Sequence, residues 1–428
     1  MNMRGKQYEV GGRSAKLILT ILLLLYLVNW ADRSVLAAVL EPMKIDLGLT
    51  DTQAGLIQSV FLLGVGLFMF PVAILVERWS RRKAIGLMAI IWSFATFATG
   101  LGRNFIQVFL TRAAVGIGEA GFATGGVGWL SFAFPKEVRA RIVGIFNIGI
   151  PVGSAIGLLV GGFIATQTGD WRIAFYVFAI PGIILGIITL FLPDYAILKE
   201  QETGTDSGFF KNLFRMFKVR SYVFNIIACC LWMFLAFSLL GWTPALLIRA
   251  YGMTPALAGS IGGALGLMAI VGAPLGGFLA DVMQKRYRSG RVLYMAVTVI
   301  IWVLLTLAFL MAIGLPIPIL ITIGIFQGLV GASLSPISQV LWSDVLPARF
   351  RNSGFGMAAC ISFLFGAMWG PYFTGAISDA LGGGAGGLKT AFYFMLPIAL
   401  LAALFYFIAM KYYPADSEKV SDIVMSEK

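Results

Sequence analysis

Long apolar runs separated by short polar segments occupy almost the whole chain. A helix that crosses a bilayer needs about 20 consecutive apolar residues. Twelve stretches meet this requirement: residues 17–40, 52–76, 84–101, 105–134, 142–166, 172–192, 221–248, 255–280, 292–313, 316–342, 354–380 and 390–412. Apolar and polar residues alternate little within them, which favours helices over the strands of an outer-membrane barrel. The pattern predicts an all-helical protein that crosses the membrane twelve times.

The longest polar stretch, Pro193–Arg220, lies between the sixth and seventh spans. It begins as a polar linker and ends in a basic, aromatic segment, Phe209–Arg220, for which we predict an amphipathic helix at the membrane surface. The chain therefore divides into a six-helix bundle at 1–192, a linker at 193–220, and a second six-helix bundle with a short tail at 221–428.

Composition and charge indicate the orientation in the membrane. Charged residues make up 12% of the chain, against about 25% in soluble domains. The N-terminus, the loops that follow even-numbered spans and the C-terminus hold 25 of the 32 lysines and arginines. Positive charge marks the cytoplasmic side, so we expect both termini and the linker in the cytoplasm. Because orientation explains the net charge of +12, no nucleic-acid partner is predicted.

The chain contains no histidine, so any proton transfer must use carboxylates. Cys229, Cys230 and Cys360 lie in apolar spans without metal-ligand spacing, as small core residues do. No nucleophile–base pair or soluble catalytic domain is present. The sequence therefore predicts no enzyme, no metal and no cofactor.

Short motifs repeat between the two halves. Pro135–Arg139 before the fifth span matches Pro347–Arg351 before the eleventh, and Ala73–Glu77 after the second span matches Gly277–Asp281 after the eighth. Two six-helix halves joined by a linker resemble the major facilitator superfamily. The resemblance implies two pseudo-symmetric six-helix bundles, a monomer, and a substrate site near the midplane between the halves.

Residues Ala73–Arg82 resemble the loop signature of that superfamily, Gly-x-Leu-x-Asp-Arg-x-Gly-Arg-Arg, with departures at Ala73, Glu77 and Ser80. An acidic residue at the end of a span can hold adjacent helices together in one conformation by pairing with basic neighbours. The candidates for such a latch are Glu77, Arg78, Arg81, Asp281 and Arg139. A merely solvated charged loop is the alternative interpretation.

Four charged residues, Asp32, Arg33, Arg112 and Glu119, lie deep in the first and fourth spans. Asp32 is about 22 Å from the cytoplasmic end of its span, and Arg112 is about 10 Å below the outer end of its span, at 1.5 Å per residue. In a hydrocarbon core of about 30 Å the two are nearly level and should pair. Glu119 lies about 10 Å deeper, further from a cation, where it should exchange a proton near neutral pH. Such residues are expected to be functional, although a structural ion pair between helices is the alternative.

The second half has no deep charges, so we expect charge and proton coupling in the first half and an apolar, aromatic wall in the second. The proton-coupling candidates are Asp32 and Glu119. The substrate-binding candidates are Arg33, Arg112, Asn29, Gln339 and Trp342.

Several motifs resemble bacterial spinster-like transporters. They are Val28–Arg33, Ala54–Phe61, Arg112–Ala120, Ile150–Ser154 and the stretch from Gly370 to Asp379. The resemblance implies proton-linked movement of lysolipids or sphingolipid phosphates, with functional residues at Asp32, Arg33, Arg112 and Glu119. Organic anion:cation symporters, which carry sugar acids and other carboxylates, are similar in the same elements.

We therefore expect a proton-coupled secondary transporter of an anionic amphipathic substrate that works by alternating access. Symport of a small organic anion is the alternative. A multidrug exporter is less expected, since two arginines in the cavity disfavour cations. A membrane enzyme or receptor has no motif in its favour.

Overall fold

The computed structural model describes residues 10–193, 216–347 and 351–426. The predicted linker, apart from its first residue and its last five, lies outside this part of the chain. The described residues form seventeen α-helices. In chain order these are α1 (Arg13–Leu47), α2 (Asp51–Arg78), α3 (Arg81–Gly100), α4 (Phe105–Glu119), α5 (Phe122–Ala133), α6 (Arg139–Asn147), α7 (Gly149–Thr168), α8 (Arg172–Leu190), α9 (Arg220–Tyr251), α10 (Pro255–Leu267), α11 (Ala269–Arg286), α12 (Gly290–Met311), α13 (Ile317–Ala332), α14 (Leu334–Asp344), α15 (Arg351–Ser362), α16 (Trp369–Ala380) and α17 (Gly384–Ser426).

Twelve helical segments of the described chain are long and apolar enough to cross a membrane, which confirms the predicted number of spans. Their edges differ from the predicted ones because the helices continue beyond the apolar runs. The first span, for example, extends to Leu47, past the polar residues Glu41 and Lys44.

Five spans are each built from two consecutive helices. The fourth span breaks at Ala120 and Gly121, between α4 and α5, and the tenth breaks at Ser333, between α13 and α14. The fifth breaks at Ile148, and the eleventh contains a π-helical turn at Phe363–Ala367. The eighth breaks at Met268. Irregular backbone at membrane depth is tolerated where it is buried in protein or lines a cavity, and matching interruptions in the two halves are typical of transporter binding sites.

The described residues of Met1–Leu47, Leu63–Glu202 and Pro255–Gly263 form one compact unit, which we call the first unit. Gly48–Leu62, Thr203–Thr254 and Ala264–Lys428 supply the described residues of the second unit. The first turns of α2 thus belong to the second unit, and the first turns of α10 belong to the first.

Within the first unit, α7 packs closely along α1 through glycines spaced four residues apart. A Cβ atom on Gly153 would lie 2.9 Å from Cβ of Trp30, and one on Gly157 would lie 2.8 Å from Cα of Ala31. Small residues allow helix backbones to approach at such distances. The stripe of glycines from Gly149 to Gly161 therefore serves close helix packing.

Gly157→Ala is expected to destabilise the first unit by about 1–3 kcal/mol, because the added methyl group overlaps the backbone of α1. Gly144→Ala on α6 is the matched control, since nothing lies within 4 Å of its added Cβ atom. It should be neutral or stabilising by about 0.5–1 kcal/mol. Thermal unfolding in detergent measures both, and equal midpoints for the two variants would contradict the packing argument.

Candidate functional site

Asp32 and Arg112 form an ion pair in the interior of the first unit. Nη1 of Arg112 on α4 lies 3.2 Å from Oδ1 of Asp32 on α1. Both side chains are buried, at 0% and 2% exposure. The hydroxyl group of Thr96 on α3 donates a hydrogen bond to the other carboxylate oxygen, Oδ2. The predicted pairing is therefore present, and Thr96 joins it from a third helix.

Arg33 and Glu119 form a second buried pair beside the first. Nε of Arg33 donates a hydrogen bond to Oε2 of Glu119 over 2.6 Å, and the Glu119 side chain is fully buried. The expectation that Glu119 stands apart from a cation is wrong. Side chains on a helix lean towards its N-terminus, and the guanidinium group of Arg33 lies 4.8 Å from the ring centroid of Trp30, one turn earlier. Arg33 therefore reaches the deeper level of Glu119.

Glu119 is the last residue of α4, directly before the break in the fourth span. The C-terminal end of a helix carries partial negative charge and disfavours a carboxylate. Arg33 supplies the positive charge that compensates the Glu119 carboxylate at this end of the helix.

The four side chains carry two positive and two negative charges when ionised, so the cluster is neutral overall. We call Asp32, Arg33, Arg112 and Glu119 the charge cluster. Burying ion pairs costs more desolvation free energy than apolar residues of similar volume would. If a proton neutralises either carboxylate, its arginine is left as an uncompensated cation. Protonation of either carboxylate would therefore leave the cluster with a net positive charge.

The other candidates for substrate binding lie in different surroundings. Asn29 is fully buried on α1, one turn before Asp32 and Arg33. Gln339 and Trp342 lie on α14 of the second unit, where Gln339 is exposed and Trp342 is buried with its ring 5.7 Å from that of Phe355. The charge cluster is thus brought together inside one unit.

The predicted latch residues are held by local contacts where the structure describes them. The guanidinium group of Arg81 lies 4.2 Å from the ring centroid of Phe132, and Nε of Arg139 donates to the carbonyl oxygen of Phe134 over 3.1 Å. Arg351 donates in the same way to Leu346 over 3.2 Å, as the repeat of this motif predicts. The side chains of Glu77 and Arg78 lie outside the described part of the structure.

Asp281, the remaining latch candidate, has partners that were not predicted. Arg291 donates to Oδ1 of Asp281 over 2.7 Å and to Oδ2 of Asp344 over 2.8 Å. The hydroxyl group of Tyr413 donates to the same Asp344 oxygen over 2.7 Å. Arg291 stands ten residues after Asp281, at the start of α12, and its place in a cluster of basic residues was its only signal in the sequence.

A second charged network, which sequence reasoning missed, surrounds the start of α2 in the second unit. Both terminal nitrogens of Arg249 contact the Asp51 carboxylate, at 2.7 and 2.8 Å. The Ser378 hydroxyl donates to Oδ2 of Asp51 over 2.6 Å. Asp379 accepts hydrogen bonds from the backbone nitrogens of Asp51 and Thr52, at 3.0 and 2.7 Å. The carboxylate at the end of α16 thus caps the N-terminus of α2, which favours negative charge.

Arg249→Ala is expected to destabilise the second unit by about 3–5 kcal/mol, because it leaves Asp51 buried without its cation. The double variant Asp51→Asn with Arg249→Gln should recover much of this loss, since no uncompensated charge remains. Arg172→Ala is the comparison, because its pair with Asp46 is partly exposed and should contribute about 1 kcal/mol or less. A midpoint for Arg249→Ala no lower than that for Arg172→Ala would contradict the assignment.

Comparison with known proteins identifies the family of this chain. The family model of the Major Facilitator Superfamily matches residues 22–311 and 287–425. The chain belongs to the Major Facilitator Superfamily. It is therefore a multi-pass membrane transporter of that superfamily and not an enzyme.

Two relatives within the superfamily are similar to this chain over most of its length. The chain is 28% identical to protein spinster of Drosophila melanogaster over 387 residues, which is 86% of this chain but 63%, less than two thirds, of the length of that relative. It is 25% identical to the hexuronate transporter of Bacillus subtilis (strain 168) over 391 residues, covering 85% of this chain and 89% of that protein.

Among solved structures, a bacterial homologue of the human lysosomal transporter spinster, in an inward-facing and unoccupied conformation, superimposes with a TM-score of 0.82. It shares 23% identity and covers 94% of this chain and 98% of its own. This likeness confirms the predicted fold class, and the sequence similarity to protein spinster confirms the predicted resemblance.

Proposed function

We propose that this transporter couples protons to the movement of an anionic amphipathic substrate, such as a lysophospholipid or a sphingolipid-like molecule. The single observation that carries the proposal is the charge cluster, in which the buried Arg112 and the largely buried Arg33 are each held by a buried carboxylate. In this scheme Arg112 binds the anionic group of the substrate, with Arg33 beside it.

Proton movement is coupled to substrate movement because each arginine can exchange its carboxylate partner for the substrate anion. Asp32 and an anionic substrate compete for Arg112, because a second negative charge next to Asp32 is unfavourable unless one of the two is neutralised. Protonation of Asp32 removes that competition, and protonation of Glu119 does the same for Arg33. Asp32 also acts as a gate, since it holds Arg112 whenever the substrate is absent. The chain has no histidine, so these two carboxylates are the proton carriers of the scheme.

The second unit carries an open apolar groove of the kind that a hydrocarbon chain can occupy. The groove has a volume of about 340 Å³ and lies between α9, the π-helical turn with α16, and α17. Its lining includes Phe234, Phe365 and Trp369. The similarity to the sphingosine-1-phosphate transporter SPNS2 of Xenopus tropicalis, 31% identical over 52% of this chain and 44% of that protein, supports a lipid substrate.

The alternative is symport of a small organic anion such as a sugar acid. The similarity to the hexuronate transporter over 89% of that protein favours it. Both substrates carry an anion, so the role proposed for Arg112 is common to the two.

The excess of positive charge in one set of loops supports an orientation with both termini in the cytoplasm. We propose that the protein is a monomer in the inner membrane of a bacterium.

Thermal stabilisation by candidate ligands tests the substrate class. A ligand that binds the native state stabilises it by RT ln(1 + [L]/Kd). We expect oleoyl lysophosphatidylglycerol to raise the unfolding midpoint of the purified protein, and glucuronate to leave it unchanged. Stabilisation by glucuronate alone would overturn the lipid assignment in favour of the sugar-acid alternative, and stabilisation by neither would contradict both.

A further inference from the structure

Two buried polar side chains of the first unit, Asn29 and Ser93, have unused hydrogen-bonding groups. Asn29 is 0% exposed and Ser93 is 1% exposed. Within the residues that the structure describes, the carboxamide nitrogen and oxygen of Asn29 have no hydrogen-bond partner. The hydroxyl oxygen of Ser93 has none either. Both residues are therefore enclosed but not satisfied by the protein around them.

The two side chains lie at one level, just below the Asp32–Thr96 hydrogen bond. Asn29 is three residues before Asp32 on α1, and Ser93 is three residues before Thr96 on α3, so each lies about one turn lower. As odd-numbered spans, α1 and α3 run in the same direction across the membrane. Because the Thr96 hydroxyl bonds to Asp32, the two helices are in register, and Asn29 and Ser93 are level with each other.

Helix α8 closes the space between α1 and α3 at this level. A Cβ atom on Gly182 would meet the Ser93 side chain and would lie 3.5 Å from Cγ1 of Val28, the residue next to Asn29. Gly182 thus leaves room where a larger side chain would fill the space. In the proposed orientation, this place lies on the cytoplasmic side of Asp32.

An unsatisfied amide in such a place is costly. Burying an amide or a hydroxyl group without hydrogen bonds costs about 2–7 kcal/mol, and surrounding lipid offers no partners. Buried water that makes about three hydrogen bonds is the usual remedy. A cation fits less well, because the charge cluster on α1 and α4 already sums to zero. In the described structure α3 and α8 carry their charged residues only at their ends, so nothing else compensates an added charge.

We propose that Asn29 and Ser93 hold buried water, and that this water carries protons between the cytoplasm and Asp32. The water donates a proton to the Asp32 carboxylate and regains one from the cytoplasmic side, so that only O–H bonds break and form. The inference rests on the proposed function, and it makes Asn29 a positioning residue for water.

The test uses the full chain in liposomes, with radiolabelled glucuronate and oleoyl lysophosphatidylglycerol as probes. Flux driven by a pH gradient is compared with counterflow exchange of the same probe at equal pH. The ratio of driven flux to counterflow should fall about tenfold in Asn29→Leu, and separately in Ser93→Ala. A change of about tenfold corresponds to the loss of about one hydrogen bond to the water. D2O should slow driven flux more strongly in these two variants than in the wild type, because proton transfer then limits the rate.

Asn225→Leu is the matched control. Asn225 is also a buried asparagine with no partner for its carboxamide among the described residues, but it belongs to the second unit and the charge cluster belongs to the first. Its flux ratio and D2O effect should equal those of the wild type. If Asn29→Leu does not fold, the smaller change Ser93→Ala decides the question.

The outcomes separate this inference from the function on which it rests. If Asp32→Asn keeps a wild-type ratio of driven flux to counterflow, the proposed coupling itself fails. If Asp32→Asn uncouples transport while Asn29→Leu and Ser93→Ala keep the wild-type ratio and D2O effect, only the water site is overturned. A parallel fall of driven flux and counterflow would assign Asn29 to substrate binding and would also overturn the inference.

Discussion

Replacing Arg112 by alanine is expected to remove anion binding and to destabilise the first unit. Arg112 is fully buried and contacts Asp32 at 3.2 Å. Its loss leaves an uncompensated carboxylate in the membrane interior, which costs about 3–5 kcal/mol in comparable buried pairs. Binding should disappear because the proposed partner of the substrate anion is gone. The measurements are the unfolding midpoint and the thermal shift produced by oleoyl lysophosphatidylglycerol and by glucuronate.

A double variant separates the two effects of this substitution. Asp32→Asn combined with Arg112→Gln removes both charges and keeps side chains of similar shape, so most of the lost stability should return. Binding should stay absent. A double variant that regains ligand stabilisation along with its fold would show that Arg112 matters for folding only, and the binding role would have to be abandoned.

Glu119→Gln is the second substitution with a large expected effect. Glutamine resembles the protonated form of the side chain in shape and charge, but it cannot release a proton. Flux driven by a pH gradient should fall by about 100-fold, the scale on which a positioned proton carrier contributes. Counterflow exchange should continue, because it needs no net proton movement.

The matched control for this variant is Glu137→Gln. Glu137 is an exposed carboxylate in the loop between α5 and α6, so driven flux should be unchanged when it is neutralised. Full gradient-driven flux in Glu119→Gln at wild-type expression would exclude Glu119 as the proton carrier.

Sequence reasoning gave the number of spans and the Asp32–Arg112 pair because both depend on simple lengths. Span number follows from the thickness of a bilayer. The pair follows from helix rise, since two residues on helices that enter from opposite sides can be placed at one depth. The glycine stripe of α7 was likewise predictable, because small residues at a four-residue spacing mark close helix contacts.

The Arg33–Glu119 pair was missed because depth was counted between backbone positions. Arg33 bridges the difference with a long side chain that turns back towards Trp30. That direction depends on local packing. A depth estimate that allowed for side-chain reach would have found Arg33 as a partner of Glu119.

The Asp51–Arg249 contact was missed for another reason. Its partners are 198 residues apart in the chain, and both appear in the sequence as ordinary residues near the ends of spans. Which span ends meet is decided by helix packing over the whole fold. The available hint was the resemblance of the stretch from Gly370 to Asp379 to spinster-like transporters, which contains two members of the network, Ser378 and Asp379, but neither Asp51 nor Arg249.

The most direct test of the central claim is the proton movement that accompanies substrate. Liposomes containing the purified transporter and a pH-sensitive dye would receive an inward gradient of glucuronate or oleoyl lysophosphatidylglycerol, with no initial pH difference. The account predicts that one of these anions changes the internal pH in the wild type, and that Glu119→Gln moves the same anion only by exchange, without a pH change. Net anion movement without proton movement in the wild type would contradict the account.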